Sequence, residues 1–576
     1  MWDITRDSSF GLAVRGLVYT SAFSHPEERS NKKVQTDSFA ARGDEEKQSG
    51  NVATPCKADR CSMQCDRASS TPDASCSALQ PRRSPMPALE SGILERLPPC
   101  RNGRETLLVG WYTDSDPANP QCWSSKKKAF VSAQMCLYTF TVYTGSSLFV
   151  AGELDVGSEF HVGATLTELG LALYVLGYGI GPMIFSPLSE IPYIGRNTIY
   201  ICTYTVFVAL SLAASLVDNL AGLLVLRFLL GFFGSPCLAT GGATLGDMYA
   251  PLNLPYAIAI WAGAANIGPA LAPVISSFAI AAKGWRWGAW ELLWMSGPVL
   301  LLLTFFLPET SHDAILLRRA RRLRQSTSRD FRSGSEVAFA SQSKRQIAGD
   351  ALIKPWQINF LDPSVLFTTI YASLIYAIYY SFFEAFPLVY PVIYGFGLGQ
   401  SSLPFLVTFV SLGFCIPAYC AYFALRVEPL MRTQSDLGLP EARLIPGVIA
   451  SFSIPIGCFI FGNALQPTPV LLGSADCLVL AWSARPSVHW MIMQSIFLYL
   501  PSTYPKYSAS LFAANDFVRS SLAAAAILFS RPMFLKLGVS GGVSLLGGLA
   551  VLCIGGMFTL YYGGAKMRAR SRFAVA

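Results

Sequence analysis

Apolar residues in this chain do not alternate with polar ones. They come in unbroken blocks at about 129–150, 165–186, 197–216, 221–243, 255–280, 289–307, 365–386, 402–424, 445–464, 508–530 and 539–563. A helix needs ~20 apolar residues to cross the ~30 Å hydrocarbon layer of a bilayer. Each block therefore predicts a membrane-spanning helix, eleven in all. Two more apolar runs, between 465 and 507, are short for a crossing. The pattern is that of an all-α membrane protein.

Polar stretches divide these blocks into units. Residues 1–108 are rich in Ser and poor in aromatics and predict a disordered cytoplasmic tail, because such a stretch buries too little apolar surface to offset ordering. Residues 109–307 hold six spans, and 308–362 form a basic linker expected to begin as a helix and end unstructured. Residues 363–576 hold the second group of spans and a short tail. Charge sets the orientation. The overall excess is +8, and the first 100 residues add nothing to it, with 13 basic and 13 acidic side chains. The linker carries ten Lys/Arg against six Asp/Glu, and 563–576 carries four against none. By the positive-inside tendency both belong in the cytoplasm. The acidic loop "GELDVGSEFHVG", without Lys or Arg, fits the outside. Both ends inside require an even number of spans, for which twelve is the natural value.

Composition narrows the class further. Only 14% of residues are charged and 52% are hydrophobic. Of fourteen cysteines, five lie in the tail, at Cys56, Cys61, Cys65, Cys76 and Cys100. The spacing in "CKADRCSMQC" matches no usual zinc pattern, so free thiols and no metal are expected. There is no G-x-x-x-x-G-K-[ST] for direct ATP coupling. No nucleophile elbow or metal pair suggests an enzyme, and no cofactor or nucleic-acid partner is expected. Six spans, a linker and about six more follow the general two-half plan of secondary transporters. Channels and receptors also have many spans, so the count alone decides little. For a transporter, the missing ATP loop leaves an ion gradient as the energy source.

Several motifs then line up in order: "LYVLGYGIGPMIFSPLSEIPYIGRNTIY", "LRFLLGFFGSP", "WAGAANIGPALAPVISSF" and "KGWRWGAWELLW". Further on come "YYSFFEAFPLVY", "LPEARLIPG" and "YPKYSASLFAANDFVRS", with "VGWYTDSDPANPQCWSSKKKAF" ahead of the first span. From about 109 to 576 the chain resembles the major facilitator superfamily, in its fungal twelve-span drug:proton antiporter branch. The resemblance implies a major facilitator fold of two six-helix halves in the plasma membrane, acting as a monomer. It also implies a turn that latches the conformation, carried here by Glu190, Gly195 and Arg196 and supported by Asp247. In the fifth span, Gly263, Gly268, Pro269 and Pro273 are similar to the branch's antiporter motif. They equally suit a generic packing surface, where small residues let helices approach closely. Ala272–Pro273 stands where a second glycine pair is usual. Asn515, Asp516 and Arg519 are expected at a second-half latch.

Two charged residues inside spans need a reason. Arg227 costs ~2.5–3.5 kcal/mol at mid-span by insertion scales. Gly231 and Gly234 follow at i+4 and i+7 on the same helical face, which lets Arg227 meet a partner without touching lipid. The resemblance implies a place beside the central cavity and a role in proton relay, where a fixed positive charge would bias a nearby acid toward ionisation. Glu384, with Tyr380 one turn before it, lies among aromatics. A carboxyl group there could carry protons, attract a cationic substrate, or serve as structural glue. His489 beside Trp490 reads as structural.

Between 463 and 500 the resemblance fails. "NALQPTPVLLGSADCLVL" looks inserted, and about a dozen apolar residues follow His489–Trp490 before a proline, which leaves the tenth span in question. A retained intron with a skipped exon gives this signature, and a re-entrant or defective tenth helix is the other reading. The expected function is proton-coupled efflux of hydrophobic or cationic small molecules, such as drugs, toxins or polyamines. The alternatives are a nutrient importer, a non-transporting sensor, or an inactive splice product.

Overall fold

The computed structural model describes residues 2–12, 96–97, 106–327, 329–340, 343–392, 395–433, 440–464, 488–500 and 508–570. Within these, nine helical stretches are long and apolar enough to cross a membrane. The last of them bends at Gly538, where φ is 71°, into two passes. The first span, Ser125–Ser147, begins with Lys126, Lys127 and Lys128, and the tenth is Val488–Leu500. With the short tenth helix counted, these make twelve helical segments among the described residues.

The first half continues with Ala164–Glu190, Arg196–Leu216, the fourth span Leu220–Gly234 with Pro236–Met248, Leu254–Lys283 and Arg286–Phe306. The second half opens with Pro363–Val389. Its eighth pass runs from Leu398 to Thr433 through a π-helical turn at Phe423–Val427, and its ninth is Ile445–Ser451 with Ser453–Ala464. Caps mark the entries. Asp362 Oδ1 accepts from the amides of Ser364 and Val365 at 2.9 and 3.2 Å, satisfying donors that the first turn leaves open. At 1.5 Å per residue the tenth helix reaches only about 20 Å, short of a full crossing. The inserted stretch at 465–487 and the chain at 501–507 lie outside the described residues.

Burial separates inner from outer helices. Over its most apolar window the seventh span is 78% buried and the sixth 22%. Large side chains such as Trp294, Phe414 and Leu552 stand exposed on the outside, where acyl chains would cover them. The two halves enclose a core of aromatic residues. One face carries the described linker and the C-terminal end of the last helix; the opposite, far face carries the turns after spans 1, 3, 5 and 11.

The linker is more structured than its composition suggests. Helix His312–Thr327 is followed by strand β3 (Phe331–Ser333) and helices Gly334–Ala338 and Lys344–Leu361. Strand β2 (Thr106–Val109) pairs in parallel with β3 and antiparallel with β1 (Arg96–Leu97). In the expected disordered tail, Trp2–Asp7 is helical, Ser8 bridges to Pro308, and Phe10 meets Phe305 at 4.7 Å. The physical reason is that apolar side chains in these short segments find partners on the linker and the sixth span. The tail cysteines lie outside the described residues.

One buried ion pair fastens this module. Arg319 binds both oxygens of Asp116 at 2.7 and 3.2 Å, and each side chain is 2% exposed. The guanidinium also lies over Tyr112 at 4.1 Å. Burial alone would raise the Asp116 carboxyl, but the hydrogen bond and charge of Arg319 hold it below the usual range. A depressed carboxylate stabilises the fold above its unfolded value and loses that contribution only as pH falls through the folded value, so it is fully present at neutral pH. Arg319→Ala leaves Asp116 buried and unpaired, at a cost of ~3–5 kcal/mol. The expected result is faster proteolytic cleavage of the linker in intact membranes.

Candidate functional site

A small cavity lies between the halves. From the first half it is walled by Tyr143, Leu238, Trp261, Asn266 and Pro269, and from the second by Tyr376, Tyr379, Tyr380, His489, Phe497 and Arg519. Tyrosines join the halves at its edge. The Tyr178 hydroxyl lies 2.9 Å from that of Tyr376 and 2.8 Å from that of Tyr380. His489 stacks on Tyr379 with centroids 4.8 Å apart. The residue read as structural therefore belongs to the cavity wall.

Arg519 sits deeper than a latch residue would. It pairs with Asp516 one turn earlier, both nearly fully buried, and its guanidinium lies over Tyr376 at 4.5 Å. Asn515 instead points to Thr369 at 3.5 Å. The structure thus puts Arg519 on the cavity and not with the charges of a turn. The turn between spans 8 and 9, "LPEARLIPG", holds those charges. Glu441 pairs with Arg568 there, and Arg443 donates to the Leu498 carbonyl at 3.2 Å.

Arg227 is 5% exposed and meets no carboxylate within ion-pair distance among the described residues. It donates instead to three backbone carbonyls: Gly170 at 3.0 Å, Gly145 at 2.8 Å and Ser146 at 2.7 Å. Gly145 and Ser146 end the first span, where the last carbonyls have no intrahelical partner and the helix dipole favours a cation. Phe149 and Tyr174 stack on the guanidinium at 4.8 and 4.6 Å. The glycines behind Arg227 allow the approach: a Cβ on Gly231 would fall 2.1 Å from the Tyr174 carbonyl oxygen. Sequence reading placed Arg227 on a small face but sought an acid as its partner.

Glu384 is 2% exposed, and its Oε1 has no hydrogen-bond partner among the described residues. It stands one turn beyond Tyr380 toward the far face. Two further buried carboxyls sit near it, Glu168 at the start of the second span and Glu153 after the first. Sequence reading used Glu153 only as an orientation signal and passed over Glu168.

At the linker face, Gly195 adopts φ 77° and starts the third span. Arg196 binds Asp247 through Nε at 2.6 Å and Nη2 at 3.2 Å. Its amide donates to Glu309 at 3.0 Å, and Glu309 also receives Arg318 at 3.1 Å. Glu190 ends the preceding helix, exposed. The sequence-predicted Gly195, Arg196 and Asp247 do come together; Glu309 and Arg318 complete the set. A Cβ on Gly195 would lie 2.3 Å from Glu309 Oε2. Gly195→Ala therefore meets both a left-handed backbone, costing ~1–2 kcal/mol, and a displaced carboxylate. Slower transport with unchanged substrate affinity and a lower unfolding midpoint are the expected outcomes.

The fifth span touches both halves. A Cβ on Gly268 would fall 2.9 Å from the Phe140 carbonyl of the first span, and one on Gly263 would fall 2.6 Å from Ile416 of the eighth. Pro269 lines the cavity, and both Pro269 and Pro273 lie within the helix.

A family model for the Major Facilitator Superfamily matches residues 135–528. The MFS-type transporter pyvG of Aspergillus violaceofuscus is 45% identical over 81% of this chain and 85% of its own length. Multidrug transporter FLR2 of Candida glabrata is 36% identical over 82% and 80%, and fluconazole resistance protein 1 of Saccharomyces cerevisiae 35% over 81% and 85%. The human organic anion transporter MFSD10 superposes with a TM-score of 0.52 at 14% identity, over 75% of this chain and 99% of its own. The proton:xylose symporter XylE does so at 0.52 and 11%, over 76% and 96%. With two six-helix halves around a closed aromatic cavity, the chain belongs to the Major Facilitator Superfamily and is a multi-pass membrane transporter of small molecules, related to fungal multidrug transporters.

Proposed function

We propose that this transporter exports hydrophobic, aromatic-rich small molecules in exchange for protons, by alternating access, as a monomer in the plasma membrane with both termini and the linker in the cytoplasm. The observation that carries the reading is the enclosed aromatic cavity with Glu384 unpartnered and buried one turn away. A lining of aromatics with a few convergent polar groups is the composition of small-molecule sites, and the cavity in this structure is contracted, so a drug-sized ligand needs the halves to part. Arg519, already neutralised by Asp516, adds a donor edge to the wall, as do Asn266 and His489. This chemistry favours neutral, acceptor-bearing molecules; cations remain able to use the tyrosine faces. The names of the relatives, which include multidrug and fluconazole-resistance proteins, support drug-like substrates.

The halves touch at both ends of the cavity. At the linker face the Tyr256 hydroxyl donates to Glu428 at 2.9 Å, and Gln494 donates to the Pro255 carbonyl at 3.3 Å. At the far face Arg531 meets Glu168. Alternating access breaks one set while keeping the other. Glu384 takes a proton from outside and passes it inward as substrate leaves, and the Arg196–Asp247–Glu309 set latches the linker face. Expression in cells stripped of efflux pumps tests the direction. Lower intracellular substrate, restored to control by a protonophore, is the expected result. A rise in intracellular substrate would indicate an importer, and binding without flux in either direction a sensor.

A further inference from the structure

His489 is 4% exposed, and its Nδ1 has no hydrogen-bond partner among the described residues. It belongs to the first turn of the tenth helix. With Met493 and Phe497, four and eight residues on, it forms the face that this helix turns to the cavity. The imidazole lies flat on Tyr379, with centroids 4.8 Å apart, and stands 5.5 Å from the ring of Tyr376. The Arg519 guanidinium lies over that same Tyr376 ring at 4.5 Å, and its Nε is a second buried polar atom without a partner among the described residues. Two unfilled hydrogen-bonding groups therefore flank one tyrosine on the cavity wall. Buried polar groups are nearly always hydrogen-bonded, and an exception on a cavity wall points to a ligand.

The two groups differ in what they offer. A guanidinium can only donate, whereas a neutral imidazole has one N–H and one lone pair. A second cation beside Arg519 would be repelled through low-dielectric protein, so the neutral ring is the form that fits. Its lone pair adds an acceptor beside the donor of Arg519, and the tyrosine rings supply faces on which an aromatic ligand can stack. We propose that His489 is the selecting residue of this cavity: its imidazole accepts a hydrogen bond from a hydroxyl or N–H of a flat aromatic substrate, whose carbonyl or ring nitrogen accepts from Arg519. This rests on the reading of the cavity as the substrate site and narrows the substrate class within it. Aromatic surface alone is indifferent to whether such a hydroxyl is free or methylated. The imidazole is not, because a ligand without the hydrogen leaves it desolvated and unpaired. The short tenth helix thus has a role in recognition that does not depend on its completing a crossing.

The test is equilibrium binding to the purified full-length chain in nanodiscs, where no gradient acts. Umbelliferone and its methyl ether are the probes, two flat fluorescent coumarins that differ only in a free or capped hydroxyl. A mildly acidic buffer keeps the phenol protonated. The parent should bind umbelliferone about tenfold more tightly than the ether, the effect of one hydrogen bond. His489→Phe keeps a ring on Tyr379 but has no lone pair. It should bind the two probes equally, and the ether no more weakly than the parent does. Equal binding of the probes by the parent, or a preference that survives in His489→Phe, overturns the proposal. If His489→Phe binds neither probe, His489→Gln decides, since it keeps an acceptor without the ring: a retained preference supports the proposal and a lost one overturns it. If the parent binds neither probe, the reading of the cavity as an aromatic-substrate site falls as well, whereas loss of the preference alone leaves that reading standing.

Discussion

Glu384→Gln is expected to reduce proton-driven efflux to the level of membranes without the transporter, while the protein is still made and inserted. Gln keeps the shape and polarity of the side chain but cannot exchange a proton. Glu384 does not line the cavity; Tyr380, one turn away, does. Substrate affinity should therefore shift by less than about threefold, equivalent to about 0.7 kcal/mol. Substrate exchange without a gradient should persist, because it needs the cavity to change sides but no net proton movement. Binding of a fluorescent substrate, exchange and pH-driven efflux, measured on one preparation, separate these effects. Full pH-driven efflux in Glu384→Gln would remove Glu384 from the proton path.

The second large effect is at Arg227. Arg227→Ala leaves the Gly145, Ser146 and Gly170 carbonyls in an apolar site without their donors. An unsatisfied buried polar group costs ~1–3 kcal/mol, so losing three donors at once amounts to several kcal/mol even after partial relaxation. The end of the first span and the start of the second should loosen together. The expected result is a markedly lower unfolding midpoint in detergent and little recoverable transporter. Arg227→Lys keeps the charge but replaces a planar fork by a single ammonium, which cannot reach three carbonyls on two helices equally well. It should fold, with an intermediate midpoint and slowed transport. A wild-type midpoint for Arg227→Ala would contradict the capping account.

How much of this was legible in the sequence follows from what each feature depends on. Span positions depend on the length of apolar blocks, a local property set by the bilayer, and the blocks coincide with the helices. The exception is the tenth span, whose apolar run after His489–Trp490 is too short to mark a crossing. The three lysines that open the first span and the positive-φ Gly538 that divides spans 11 and 12 lie just outside the blocks. The close approach of Arg227 was legible because Gly231 and Gly234 lie on its own helix. Its acceptors were not, since carbonyls exist at every position and only packing decides which end up beside the guanidinium. Glu309 and Arg319 were missed because an Arg-rich linker looks like any solvated segment, and their partners Arg196 and Asp116 are 113 and 203 residues away. Glu168 was missed because an acid in the first turns of a helix is ordinary; only Arg531, from the other half, gives it significance. Arg519 carried a usable signal, since its i−3 partner Asp516 is local. The sequence showed the pair, and the fold turned it to the cavity.

The central claim is that substrate and protons move in opposite directions through this protein. The most direct measurement reconstitutes the purified transporter in tight liposomes and imposes a pH gradient with the lumen acidic. Uptake of a fluorescent hydrophobic substrate is then followed, with empty liposomes as control. The account predicts accumulation in the acidic lumen as protons leave, none when the gradient is collapsed by a protonophore, and none with Glu384→Gln. Accumulation that ignores the gradient, or that follows protons out of the lumen, would contradict it.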